Sequence, residues 1–118
     1  MFGDYRKLSV WQKSMKLVGA VYALANEFPL RERFGLAQQV QRAAISIPSN
    51  IAEGRRRATE RDYHQFLQIA FGSGAELETQ IEIAVMLGYG TKNNIQDVRA
   101  LLGEVMRMLN ALLTKTNE

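Results

Sequence analysis

Ile95, Val98, Leu102, Val105, Leu109 and Leu112 recur at alternating steps of three and four for nearly three heptads. That spacing puts all six on one side of an α-helix, and no segment of the chain shows the two-residue alternation of a strand. A chain patterned this way hides its apolar side chains only by packing helix on helix.

Three further segments carry the same period. Ser9 reads as the cap of a first helix, with Gln12 completing a capping box, and Trp11, Met15, Val18, Val21, Tyr22, Ala25 and Phe28 as the buried face. The Phe28-Pro29 step ends it, because a residue before Pro is pushed out of the α region. A second helix is expected from Leu36 to about Arg57, with Leu36, Val40, Ala43, Ala44, Ile47 and Ile51 in its stripe. Pro48 interrupts it; the apolar phase passes through unbroken, which favours a helix that kinks and continues over one that splits. Thr59 caps a third helix, with Asp62 three residues on, and Tyr63, Phe66, Leu67, Ala70, Gly74, Leu77, Ile81 and Ala84 form its face. Gly88-Tyr89-Gly90 stops it, and the fourth helix begins near Asn94.

Four such helices with short connections, in a chain of 118 residues without linker or repeat, imply one all-α domain over residues 1–118. The expected architecture is an antiparallel up-down-up-down four-helix bundle. Ile69, Phe71, Ile83, Val85 and Met86 on the third helix, and Leu101, Met106, Met108 and Leu113 on the fourth, are apolar beyond a single stripe. A monomer this small would expose several of them, so self-association is expected.

Composition narrows the chemistry. With no Cys and one His, thiolate catalysis, zinc–thiolate sites and paired-His metal centres are out of reach. His64 lacks a Glu three residues before it, where Arg61 stands, so a di-iron bundle motif is missing, and no cofactor is expected. Gly72-Ser73-Gly74 lies inside a helical pattern and lacks the Gly-Lys-Ser/Thr ending of a phosphate loop. The run LVGAVYALA after Lys13 and Lys16 imitates a signal peptide, but Asp4, Tyr5 and Trp11 precede it and it falls short of the ~20 residues that span a bilayer. A cytoplasmic protein without a membrane segment is the expectation.

Two polar features remain. Ser46, Ser49, Asn50 and Glu53 make a polar stripe beside the apolar one, and Ser73, Glu76 and Gln80 make a shorter stripe on the third helix. They read as a structural network, in which Ser49 and Asn50 satisfy backbone groups freed by Pro48 and Glu53 pairs with Arg57. The alternative is a hydrogen-bonded network between the second and third helices that forms a pocket or an intersubunit seam. An enzyme would need Glu53 and Glu76 to converge, with no nucleophile or His beside them, so a non-enzymatic role is expected. Arg55, Arg56, Arg57 and Arg61 cluster at the corner between the second and third helices, with Arg42 further back. Residues 1–66 carry a net +5 and residues 67–118 a net −2, so the formal +3 is unevenly spread. The planar guanidinium suits phosphate, and these five arginines are candidates for contact with RNA or DNA without base readout. The competing expectation is a scaffold that recruits a partner protein.

LSVWQKS (8–14), VYALANEFP (21–29), QRAAISIPSNIAEG (41–54), FLQIAFGSGAELETQ (66–80) and LGYG (87–90) resemble the four-helix-bundle proteins encoded in intervening sequences of bacterial 23S ribosomal RNA genes. Ala37 and Gln41 depart from the family's usual Thr and Arg. The resemblance implies a bundle assembled as a homopentamer. At the level of fold the chain is also similar to accessory proteins of diversity-generating retroelements, which implies a basic surface for nucleic acid and a reverse transcriptase as partner.

Overall fold

The computed structural model describes residues 3–116, and among them helix is the only regular structure. A 3-10 turn, Tyr5–Lys7, leads into α1 (Ser9–Ala25); a second 3-10 turn, Leu30–Glu32, precedes α2 (Leu36–Arg55); α3 (Glu60–Met86) and α4 (Lys92–Thr116) follow. Each helix packs on its neighbours in sequence, and α1 also packs on α4. The molecule measures 43 × 23 × 21 Å.

The expected stripes of α2, α3 and α4 form the core, except that Leu36, Phe66 and Leu112 are only partly buried. Val40, Ala43, Ala44, Ile47 and Ile51 are buried, as are Tyr63, Leu67, Ala70, Leu77, Ile81 and Ala84, and then Ile95, Val98, Leu102, Val105 and Leu109. The face of α1 is rotated from the expected one. Val10, Ser14, Leu17, Val21, Leu24 and Ala25 point inward, whereas Met15 and Tyr22 are exposed and Trp11 and Val18 lie at the margin. The apolar side of α1 covers about half of the helix, opposite Gln12, Lys13 and Lys16, so a stripe centred on its aromatics and one that contains Ser14 both fit the pattern. That hydroxyl is satisfied within its own turn, donating to the Trp11 carbonyl at 2.8 Å.

Caps differ in detail from the sequence expectation. Leu8, not Ser9, is the N-cap of α1, and the Gln12 amide donates instead to the Arg6 carbonyl at 2.9 Å. Thr59 caps α3 as expected, accepting from the Asp62 amide at 3.1 Å. α3 ends with the Gly88 amide on the Val85 carbonyl and the Tyr89 amide on the Ala84 carbonyl, Gly88 taking φ +76°. This pairing of bonds is the Schellman arrangement, which favours glycine at the turning residue. α4 begins two residues before Asn94, whose amide donates to the Thr91 hydroxyl at 3.2 Å.

α2 runs unbroken through Pro48, which has no amide for the Ala44 carbonyl. Its start, where Ala37 offers no cap, is held from outside. One oxygen of Glu32 accepts from the Leu36 amide at 3.1 Å and the other from the Tyr89 hydroxyl at 2.9 Å. These two donors, the amide first, hold the Glu32 carboxyl below the usual carboxylate range. A depressed pKa means that the clasp stabilises fully above the unfolded group's value and is lost as pH falls through the lowered one. Acid titration of unfolding free energy should therefore show a decline through and below ~pH 4 that Glu32→Gln flattens. An unchanged slope in that variant would refute the clasp's role.

Candidate nucleic-acid interface

The corner between α2 and α3 is short because Gly54 lets the helices close on each other. A Cβ at Gly54 would lie 2.6 Å from the Phe66 Cβ and 3.1 Å from Tyr63 Cδ1. α2 ends one residue later, so Arg55, Arg56 and Arg57 leave the helix in succession, each over a ring. The Arg55 guanidinium lies 5.5 Å from the centre of Tyr63, Arg57 lies 4.7 Å from Phe66, and Arg56 lies 5.3 Å from Tyr5. All three are within the ~6 Å range of cation–π attraction. Arg57 also pairs with Glu53 at 2.8 Å, the expected i,i+4 bridge. That exposed pair contributes little to stability.

The turn Tyr5–Lys7 brings a further cation that sequence reasoning missed. Arg6 lies 4.8 Å from the same Tyr5 ring that carries Arg56. Asp4 fixes this turn, accepting from the Arg6 amide at 3.0 Å, and that bond is the main reason its carboxyl sits below the usual range. About fifty residues separate Arg6 from Arg56 in the chain, so no local pattern could have joined them; the only sequence signal was a basic, aromatic segment ahead of the first cap. Arg61 is exposed in the first turn of α3. Arg42 stands apart from this group. It is exposed on α2, thirteen residues or ~20 Å of helix before Arg55.

Among the described residues, the polar stripes meet where Ser46 faces Ser73. Ser46 and Ser73 share a hydrogen bond of 2.8 Å between α2 and α3, and Asn50 donates to Ser46 Oγ at 2.9 Å and to the Ser46 carbonyl at 2.8 Å. Ser49 returns to the Ile45 carbonyl at 2.8 Å. Ser49 and Asn50 thus bond the Ile45 and Ser46 carbonyls, not the Ala44 carbonyl that Pro48 leaves without its helical donor. This corrects the expectation, because a side chain bonding back four residues from 49 or 50 falls past residue 44. Glu53 belongs to the arginine corner instead, and Glu76 pairs along α3 with Gln80 at 3.0 Å. With Gly54 facing Tyr63 and Phe66 and Ser46 facing Ser73, Glu53 and Glu76 are ~15 Å apart along the helices. Those two carboxylates do not converge. Gly72-Ser73-Gly74 is helical, with Gly74 lying under Met106 of α4.

Of the apolar residues expected to exceed a single stripe, Ile69, Ile83, Val85 and Met86 of α3 are exposed, Met86 by 75%. Phe71, Leu101, Met106, Met108 and Leu113 instead pack partly against the core. No described helix is long and apolar enough to cross a membrane.

This fold is close to that of a crystal structure from Bacteroides thetaiotaomicron VPI-5482, described as a protein with unknown function from the S23 ribosomal protein family. The two align with a TM-score of 0.81 at 22% identity, over 89% of this chain and 95% of the other. No curated protein matches the sequence. The model of the family described as 23S rRNA-intervening sequence protein matches residues 6–111, nearly all of the chain, from the Arg6 turn into the last turns of α4. A match of that extent, on a four-helix fold of the same kind, places the chain in the 23S rRNA-intervening sequence protein family.

Proposed function

We propose that this chain is a non-enzymatic, self-associating antiparallel four-helix bundle that holds RNA or DNA by its phosphates at the α2–α3 corner. The observation that carries this reading is the row of Arg55, Arg56 and Arg57, each held over an aromatic ring, with Arg6 brought beside them. Guanidinium groups so placed offer several forked donors on one small surface, which is the chemistry of phosphate contact without base readout. Arg61 widens that surface, and Arg42 adds a separate contact along α2.

Assembly is supported by the exposed Ile69, Ile83 and Met86, which share the side of α3 turned away from the core and which a partner helix of another copy would cover. The antiparallel arrangement is supported by the facing pairs Ser46–Ser73, Gly54–Phe66 and Glu27–Thr91. Family resemblance favours a pentamer, in which five corners would multiply a weak contact. A monomer mass by light scattering at micromolar protein would overturn the assembly.

Anisotropy of a labelled structured RNA at two salt concentrations tests the phosphate contact. Binding should weaken steeply with salt, and replacing Arg55, Arg56 and Arg57 by Ala should reduce the log–log salt slope by about 3 per corner engaged. Absence of binding at low salt, or binding unaffected by the triple substitution, would overturn it. Capture of a partner protein that survives nuclease treatment and ignores the Arg substitutions would favour the scaffold reading, to which the α3 stripe would then belong.

A further inference from the structure

Beside the arginine corner, α1 and α2 enclose an open groove of about 310 Å³, at the small end of the ~300–1,000 Å³ that organic ligands occupy. Its walls are Tyr5, Trp11, Met15, Val18, Ile45 and Pro48. Tyr5 meets Trp11 edge to face at 5.3 Å, so two aromatic rings bound one end of it. Met15 and Ile45 are more than two-fifths exposed, and the groove is therefore open to solvent along its length. The Tyr5 ring that forms one wall also carries Arg6 and Arg56. An apolar slot with aromatic walls is thus joined, through a shared side chain, to the cations of the corner.

We propose that this groove receives an unpaired base of single-stranded nucleic acid whose phosphates lie on Arg6 and Arg56. The charge pattern selects this occupant. An apolar peptide side chain would suit the walls, but it would meet the two guanidinium groups at the Tyr5 end only if an acidic residue lay beside it, as Asp4 already does for Arg6 at 3.4 Å. A nucleotide brings a flat apolar ring and an anion on one short scaffold, in the order in which groove and arginines occur. Bases in a duplex are stacked and paired, so only a single strand, loop or bulge supplies one. The proposal rests on the phosphate contact above and adds the class of nucleic acid to it.

Trp11 is the chain's single tryptophan, so its fluorescence reports on the groove directly. The experiment compares a mixed-sequence single strand of ~12 nucleotides with a duplex of the same length, against the full chain at low salt. The single strand should bind about tenfold more tightly and quench Trp11, and the duplex should bind without quenching. Ser49→Phe would fill the groove from its rim and should abolish both the preference and the quenching while leaving duplex binding intact. Tyr5→Ala, outside the helices, should also reduce the preference; it serves if the first variant does not fold by circular dichroism.

Equal affinity for the two nucleic acids with Trp11 unchanged would overturn the groove assignment and leave the phosphate contact standing. Failure of both to bind would overturn the phosphate contact and the groove assignment together. Trp11 emission that shifts with protein concentration alone, before any oligonucleotide is added, would assign the groove to a second copy of the chain and overturn the proposal.

Discussion

Gly54→Val should lower the stability of this chain by about 3 kcal/mol, a fall of roughly 10–20 °C in the thermal midpoint. The new Cβ would sit 2.6 Å from the Phe66 Cβ, and the branched methyls would reach further into Tyr63. A Cβ cannot rotate away, so α2 and α3 must separate at this corner. Gly54→Ala should cost less, because better helix propensity returns ~1 kcal/mol. Gly74→Ala is the control. An added methyl there meets the flexible end of Met106, which can swing aside, so its penalty should be well under that of Gly54→Ala. Chemical denaturation of the three variants checks the order, and equal losses at Gly54 and Gly74 would contradict it.

Leu24→Ala should be similarly severe, at ~2–5 kcal/mol, because Leu24 is wholly inaccessible and its removal leaves a cavity. Against the ~6–18 kcal/mol typical of a chain of 118 residues, that is a large share. The site carries its own internal check. Gly90 takes φ +84°, and a methyl on it would run into Leu24 Cδ1. Gly90→Ala alone should therefore suffer backbone strain of ~1–2 kcal/mol and a steric clash in addition. In the Leu24→Ala background the clash disappears and only the strain remains. The two losses should thus sum to less than their separate values in a double-mutant cycle; strict additivity would show that Leu24 and Gly90 do not meet as described.

The helices were legible in the sequence wherever one apolar stripe stood against a polar background. α4 is the clearest, since residues such as Gln96, Asp97 and Arg99 separate Ile95, Val98 and Leu102, and those three are buried. α1 shows the opposite condition. Its apolar side is about half of the helix wide, so its existence was readable and its rotation was not. Part of the side misread as core, Trp11, Met15 and Val18, walls the groove instead. The arginine run was visible as charge, but its aromatic supports were not. Phe66 and Tyr63 were read only as core positions, and the approach of Tyr5 and Arg6 depends on how α1 lies against α2. Gly54 gave no local hint of the close approach it allows, because it stands inside a helical pattern and takes no positive φ. Glu32 was similarly silent, since capping by a side chain four residues upstream follows no short motif.

Glu27, just past the end of α1, is tied to the residue that precedes α4, accepting from the Thr91 amide at 2.8 Å across 64 residues of chain. The corresponding meeting of α2 with α3, Gly54 against Tyr63, spans nine. Loop-closure entropy grows with the logarithm of span, so joining α1 to α4 directly costs about 2 kcal/mol more than joining α2 to α3. That difference sets an order on assembly. The α2–α3 hairpin, with Gly54 at its turn, is the inexpensive nucleus, and the two terminal helices close on each other once it has brought their anchoring ends together.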